Sequence, residues 1–257
     1  MQLKFYKKND RWYADVPGHT EEENEMVSGS DTFLNLYSNW TNEAIIEFTN
    51  IPRAANTIFS IEYIRRSAEV SALLGAKTMV VHCGSCAKIS RETAMGYARE
   101  TLEGVALMMQ ENDFKTIVGI ETMGKVNQLG TLDEVIELCK ISPCFAPVVD
   151  FGHLNARDRG VFYTVDDYKR VFDRIASELG SNYAEDLHCH FSKIMFTEMG
   201  EKKHLTFEDD VYGPNFEPLA EAIVSLGVAP TIICESAGTQ SHDAAFMKLT
   251  YEQLRQK

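Results

Sequence analysis

Five apolar runs in this sequence each end in a residue that can bind a metal ion. In chain order the runs end in His82, Glu121, Asp150, His188 and Glu235. Histidine and carboxylate side chains together form the mixed nitrogen and oxygen ligand set that suits zinc or manganese. Such an ion lowers the pKa of a bound water and stabilises negative charge on a substrate. The sequence therefore predicts a divalent-metal site.

These residues lie where strands of a parallel sheet would end. Four of the five runs are continuously apolar, as in strands that are buried on both faces, and helical patterns separate them. Ligands of parallel α/β folds gather at the carboxyl ends of the strands, so the five side chains are expected to converge. The predicted strands are 78–81, 116–120, 146–149, 186–187 and 231–234, and the predicted helices are about 61–74, 91–111, 132–140, 165–179 and 215–226.

The N-terminal residues follow a different pattern. Two short strand patterns, 3–7 and 11–16, flank a polar turn and predict a β-hairpin. A glutamate-rich loop follows, then a predicted short helix near 32–37 and a predicted strand at 44–49. This stretch therefore has the character of a small α+β element.

A barrel of eight strand–helix units needs three such units before the strand that ends in His82. Fifty-five residues that begin with a hairpin are too few for them. We therefore predict an α/β protein with a small α+β segment over residues 1–55 and a TIM-barrel-like (β/α) fold, incomplete or patched by that segment, over residues 56–257. An unfilled barrel leaves a sheet edge open, which predicts homodimerisation.

The overall composition excludes several classes of protein. A hydrophobic content of 44% and a charged content of 25% are typical of folded globular proteins. The net charge of −13 repels nucleic acid and anionic membranes unless bound metal ions reverse the local charge. The first residues do not resemble a signal peptide, and no run of about 18 apolar residues occurs. We expect a cytoplasmic protein with free thiols and no membrane partner.

Seven short motifs resemble those of the endonuclease IV family, in its order and near its spacing. They are VHCGS (81–85), GIETMG (119–124), QLGT (128–131), VDFGH (149–153), HCHFSK (188–193), KKH (202–204) and ICES (233–236). In that family an eight-stranded TIM barrel carries three zinc ions and cleaves DNA 5′ to abasic sites. The resemblance implies a zinc-dependent, DNA-binding endonuclease of DNA repair, a hydrolase whose partner is abasic DNA.

The same resemblance implies a role for individual residues. Glu121 and Glu235 would be catalytic, Glu121 as a ligand that bridges two ions and Glu235 as a ligand that also orients the attacking water. Up to three zinc ions are implied, with manganese as an alternative. The implied ligands are His82 and Glu121 for the first ion, Asp150, His188 and Glu235 for the second, and His153 and His204 for the third.

Basic residues beside these ligands are candidates for contact with a phosphate or another part of the substrate. Arg157 and Arg159 follow the VDFGH motif, and Lys202 lies in the KKH motif. His190 shares a strand face with His188, because alternate residues of a strand point to the same side. Core packing for His190 and a solvent-exposed loop for the basic residues are the alternative interpretations.

Departures from the family pattern keep two other functions open. No histidine lies between His19 and His82, where the family's first zinc takes a further ligand. Lys202 occupies the place of a carboxylate, for which Glu201 could substitute. The remaining set of two glutamates, one aspartate and one histidine also fits sugar isomerases and epimerases related to xylose isomerase, which bind one metal ion and a small sugar. A catalytically degenerate metal-binding barrel is the third interpretation.

Overall fold

Two antiparallel strands lie in the N-terminal unit. The chain forms two compact units, Met1–Ser60 and Ile61–Lys257. Strands β1 (Lys4–Lys8) and β2 (Arg11–Asp15) pair in register and confirm the predicted hairpin. The predicted short helix near 32–37 and the predicted strand at 44–49 lie outside the described residues. This computed structural model describes residues 4–8, 11–15, 53–86 and 88–256.

A curled, five-stranded parallel sheet is the framework of the larger unit. The strands lie in the order β3-β4-β5-β6-β9, and four of them overlap the predicted strands, while the fourth strand of the sheet lies just after the predicted 186–187. Ile120, Val148 and Val149 are fully buried, which explains why these strands are continuously apolar in the sequence. The predicted α/β, TIM-barrel-like fold is confirmed. The strands are β3 (Thr78–His82), β4 (Ile117–Glu121), β5 (Phe145–Asp150), β6 (His188–Phe191) and β9 (Thr231–Cys234).

The register of the sheet aligns the strand ends that carry the predicted ligands. His82 pairs with Glu121, and Asp150 pairs with His190. The sequence placed the fourth strand at 186–187, whereas the observed strand begins at His188. Within the described residues β3 and β9 are the edge strands of this sheet. Homodimerisation through such an edge stays a prediction.

Helices cover the connections between the strands. Thr131 begins one of them with a capping box, in which its side chain accepts from the Glu134 amide while Glu134 accepts from the Thr131 amide. None of the helices in the described residues is long and apolar enough to cross a membrane. The helices are α1 (Arg53–Leu74), α2 (Arg91–Glu111), α3 (Leu132–Cys139), α4 (Phe151–Arg157), α5 (Val165–Leu179), α6 (Ser181–Glu185), α7 (Glu217–Leu226) and α8 (Gln240–Arg255).

A second hairpin, which the sequence analysis did not predict, follows β6. Its strands are β7 (Ile194–Thr197) and β8 (Gly200–His204), paired antiparallel. Gly200 has φ +83°, and a Cβ at this position would collide with the carbonyl oxygen of Gly124. The hairpin therefore packs against the loop after β4 at a contact that only glycine allows.

Aromatic packing anchors helix α4, which begins directly after β5. The Phe151 ring is 5.3 Å from the Tyr168 ring and 5.5 Å from the Phe162 ring, and all three side chains are buried. Each such pair adds about 1 kcal/mol beyond the burial of apolar area. This packing fixes α4 against α5, so His153 on α4 has a rigid support.

Candidate metal centre

Four side chains at the carboxyl end of the sheet form a compact ligand group. Their ligand atoms all lie within 4.8 Å of one another. His190 Nδ1 is 2.8 Å from Glu121 Oε1 and 3.2 Å from Glu235 Oε1. We call this the sheet group, and its members are Glu121, Asp150, His190 and Glu235.

The histidine of the sheet group is His190, whereas the sequence-based prediction names His188. The prediction ended the fourth strand too early, so it took the first histidine of the HCHFSK motif as the strand-end residue. In the observed register His188 pairs with Val148, one step inside the sheet, whereas His190 pairs with Asp150 at its end. The two imidazole rings lie on the same face, 5.4 Å apart.

A second group of ligands lies beside the first. His153 Nε2 is 3.6 Å from Glu201 Oε2, and His204 Nε2 is 3.9 Å from Glu201 Oε1. Glu201 and His204 come from β8, and His153 comes from α4. Lys202 stands where the endonuclease IV pattern has a carboxylate, and the neighbouring Glu201 supplies a carboxylate instead. The Lys202 side chain, on the same strand, is exposed. We call His153, Glu201 and His204 the hairpin group.

The two groups are contiguous. His153 Nδ1 lies 3.4 Å from Asp150 Oδ2 and 3.6 Å from Glu121 Oε1, while His204 Nδ1 lies 3.9 Å from Glu235 Oε2. These two histidines therefore face carboxylates of both groups.

The predicted ligand His82 also reaches this centre. Its Nε2 is 3.0 Å from Glu121 Oε2, and its side chain is 60% exposed. A cavity of about 250 Å³ opens between both groups, and its lining includes His82, Glu121, His153, Glu201, His204 and Glu235.

Burial and hydrogen bonding set the charge of the carboxylates. Burial raises the pKa of Glu121, but the contacts from His190 and His82 outweigh burial and lower this pKa to about 2. Burial and, to a smaller extent, the Glu121 charge together raise the pKa of Asp150 to about 6, against the lowering effect of the His153 amide. Burial is the main cause of the raised pKa of Glu235, followed by the Asp150 charge.

The donor set fits a divalent cation. Asp150 is fully buried, and its Oδ2 has no hydrogen-bond partner among the described residues. A buried, unpartnered carboxylate oxygen is costly unless a cation or a donor satisfies it. A divalent ion held by the sheet group would supply that partner, and the mixed imidazole and carboxylate donors suit zinc or manganese.

The predicted phosphate-binding residues lie elsewhere. Arg157 is buried and donates hydrogen bonds to four backbone carbonyls of the loop after β4, so its donors are already used. Arg159 is exposed beyond the end of α4, with φ +60°. Neither arginine nor Lys202 lines the cavity, and His190 belongs to the sheet group.

Two other polar residues line the cavity that the sequence analysis did not select. Lys125 and Gln128 lie in the loop after β4. Lys125 directly follows the GIETMG motif and Gln128 begins the QLGT motif, and this position in the loop after a strand end is the signal that could have identified them.

Comparison with known proteins gives this fold and centre a family. The family described as xylose isomerase-like TIM barrel matches residues 20–251, and the chain belongs to it. The resemblance predicted from the motifs is therefore confirmed at the level of this superfamily.

The sequence identity between this chain and individual relatives is low. The chain is 28% identical to the uncharacterized protein MJ0133 of Methanocaldococcus jannaschii over 76% of this chain and 70% of that protein. It is 27% identical to the probable endonuclease 4 of Acholeplasma laidlawii over 62% of this chain and 53% of that protein. The solved structure of L-ribulose 3-epimerase superposes with a TM-score of 0.54 at 14% identity, over 76% of this chain and 68% of that one. This last likeness concerns the fold alone.

Proposed function

We propose that this chain is a zinc-dependent phosphodiester hydrolase that cuts DNA at abasic sites. The observation that carries the proposal is the contiguity of the sheet group and the hairpin group, because together they offer ligands for more than one ion. Sites with two or more adjacent ions are typical of nucleases and phosphatases, where both the attacking and the leaving oxygen are stabilised. The similarity to a probable endonuclease 4 supports DNA as the substrate.

The charges of the centre require cations before an anionic substrate can bind. Glu121, Asp150, Glu201 and Glu235 carry −4 when ionised, and two divalent ions carry +4, so the loaded centre no longer repels a phosphate. Bound ions there would supply Lewis acidity and would favour ionisation of a water near neutral pH.

The protein's own groups orient the reactants. His190, in contact with both Glu121 and Glu235, holds these two carboxylates in place. Glu235 is 32% exposed at the cavity, and burial raises its pKa, so its carboxylate is suited to hold the proton of an attacking water. Glu121 stays ionised because its pKa is held at about 2.

Cleavage of a defined duplex tests this proposal. Zinc-loaded protein is incubated with a duplex that contains one abasic site and with the same duplex undamaged. We expect incision 5′ to the abasic site only, abolished by EDTA and strongly reduced by Glu201→Gln, with Glu198→Gln in the exposed turn of the same hairpin as the matched control. Failure to incise when zinc or manganese is fully loaded overturns the proposal.

A sugar isomerase or epimerase with one ion is the second candidate. The observation in its favour is that the sheet group is by itself a four-ligand set in which Glu121 and Glu235 both contact His190. Two such carboxylates can move a proton between adjacent carbons of a metal-bound sugar. Turnover of a ketose with one ion per chain, together with no incision of abasic DNA, would select this candidate.

A further inference from the structure

The loop that joins β4 to α3 is held in place by Arg157. The guanidinium lies on α4, one helical turn after His153, and only 8% of the residue is exposed. It donates hydrogen bonds of 2.8 to 3.1 Å, and the acceptors are the carbonyl oxygens of Met123, Lys125, Val126 and Gln128. A single side chain therefore fixes the path of residues 123–128.

A second arginine and the β7-β8 hairpin hold the same loop from other sides. Arg91 donates to the carbonyl oxygens of Val126 at 3.0 Å and Gln128 at 2.9 Å. The amide of Glu201 donates to the Gly124 carbonyl at 2.9 Å, so the loop is also paired with the strand that carries a hairpin-group ligand. This backbone is rigid, and the side chains it carries into the cavity start from fixed positions.

Lys125 and Gln128 are the polar residues of this loop that line the cavity, together with the apolar Met123. Lys125 is the only lysine or arginine among the described residues that line it, and no carboxylate of the described part of the chain lies within ion-pair distance of its ammonium. Gln128 Oε1 is buried and has no hydrogen-bond partner there. An unpaired cation beside an unsatisfied acceptor suits a ligand that carries both an anionic group and a hydroxyl.

We propose that Lys125 binds a phosphate of the substrate and that Arg157 is the positioning residue that keeps Lys125 at the cavity. The proposal rests on the proposed function, since it names the contact that a phosphodiester would make next to the metal centre. The sequence predicts that Arg157 contacts a phosphate, whereas in this proposal its guanidinium binds backbone carbonyls of the protein and Lys125 contacts the phosphate. A charged contact of this kind adds to affinity and depends on salt.

Lys125→Met and Lys115→Met form a matched pair of variants. Lys115 precedes β4 at the opposite end of the same strand, where it is 80% exposed, so its replacement removes the same charge far from the cavity. Binding of the abasic duplex to zinc-loaded protein is measured from 50 to 200 mM salt, with inorganic phosphate as a competitor. We expect Lys125→Met to weaken binding about tenfold and to reduce the slope of log K against log salt by about 0.9. Lys115→Met should bind as the wild type does.

Arg157→Lys and the double variant test the positioning role. A lysine keeps the positive charge but cannot reach four carbonyls at once, because it lacks the planar fork of guanidinium donors. We expect Arg157→Lys to weaken phosphate binding, and we expect Lys125→Met to add little in the Arg157→Lys background, since both changes remove the same contact. Thermal melting of each variant establishes that it is folded. Additive losses would contradict the positioning role.

The outcomes separate this proposal from the proposed function. Wild-type binding of abasic DNA without cleavage, weakened by Lys125→Met, refutes the hydrolase and supports the phosphate contact. Cleavage by the wild type with unchanged affinity and salt slope in Lys125→Met refutes only the phosphate contact. Failure of the zinc-loaded wild type to bind either the abasic duplex or inorganic phosphate refutes both.

Discussion

Asp150 and His153 lie in contact, and the two oxygens of the Asp150 carboxylate have different surroundings. Oδ1 accepts a hydrogen bond of 2.7 Å from the His153 backbone amide and so caps helix α4, whereas Oδ2 lies 3.4 Å from His153 Nδ1. The capping hydrogen bond therefore fixes a ligand of the sheet group relative to a ligand of the hairpin group. The N-terminal end of α4 therefore sets the spacing between the sheet group and the hairpin group.

Two substitutions of Asp150 separate its helix-capping role from its role as a metal ligand. Asparagine caps helices about as well as aspartate, so Asp150→Asn should keep the stability of the metal-free protein within about 1 kcal/mol while weakening zinc binding strongly. Asp150→Ala should lose the cap as well, at a further cost of about 1 kcal/mol. Urea unfolding in EDTA and zinc titration check both variants. Equal zinc affinity in Asp150→Asn and wild type would refute the ligand assignment.

The two histidines of the HCHFSK motif should differ in their effect on zinc. His190 belongs to the sheet group, whereas His188 lies one step inside the sheet, so His190→Ala should lower zinc affinity by about tenfold or more. His188→Ala should leave zinc affinity close to that of the wild type. Competition with a zinc-binding dye measures both. The opposite ranking would restore the assignment made from the sequence.

Glu134 provides a test that does not involve the metal centre. Burial raises its pKa, but hydrogen bonds from Arg91 and from the Gly130 and Thr131 amides outweigh burial and lower the pKa to about 2. Because the folded-state pKa lies below the unfolded value of about 4.5, this carboxylate stabilises the fold above pH 4.5, and the stabilisation is lost as the pH falls towards 2.

Glu134→Gln keeps a residue type that suits the capping box but removes the charge. We expect it to lower the free energy of unfolding at pH 7 by on the order of 2 kcal/mol. The difference from wild type should shrink between pH 4.5 and pH 2, as followed by urea unfolding of the metal-free protein. A difference that is constant over this range would contradict the lowered pKa.

The sequence predicts most of the sheet and four ligand positions, because both depend on local patterns. His82, Glu121, Asp150 and Glu235 each end or follow an apolar run, and the structure brings all four to one end of the sheet. The choice between His188 and His190 depends on where β6 ends. That end is fixed by pairing with β5 and β9, which no local pattern encodes.

The positions of the β7-β8 hairpin and the partners of Arg157 could not be predicted from the sequence, because both depend on long-range contacts. The sequence names Glu201 only as a possible substitute for a carboxylate at position 202. Its place beside His153 depends on β7 and β8 folding back next to α4, and the short β8 pattern GEKKH carries no apolar signal. Arg157 follows a ligand in sequence, which suggests a role toward substrate. Its actual partners are carbonyls about 30 residues earlier in the chain, and such long-range contacts become visible only in the folded structure.

The number of zinc ions per chain tests the central claim most directly. Protein loaded with zinc and dialysed without chelator is analysed by native mass spectrometry, alongside Glu201→Gln and the control Glu198→Gln. Two contiguous ligand groups predict two or more ions in the wild type and in Glu198→Gln, and one fewer in Glu201→Gln. A single ion in the wild type that Glu201→Gln leaves in place would contradict the multi-ion centre and the hydrolase proposal built on it.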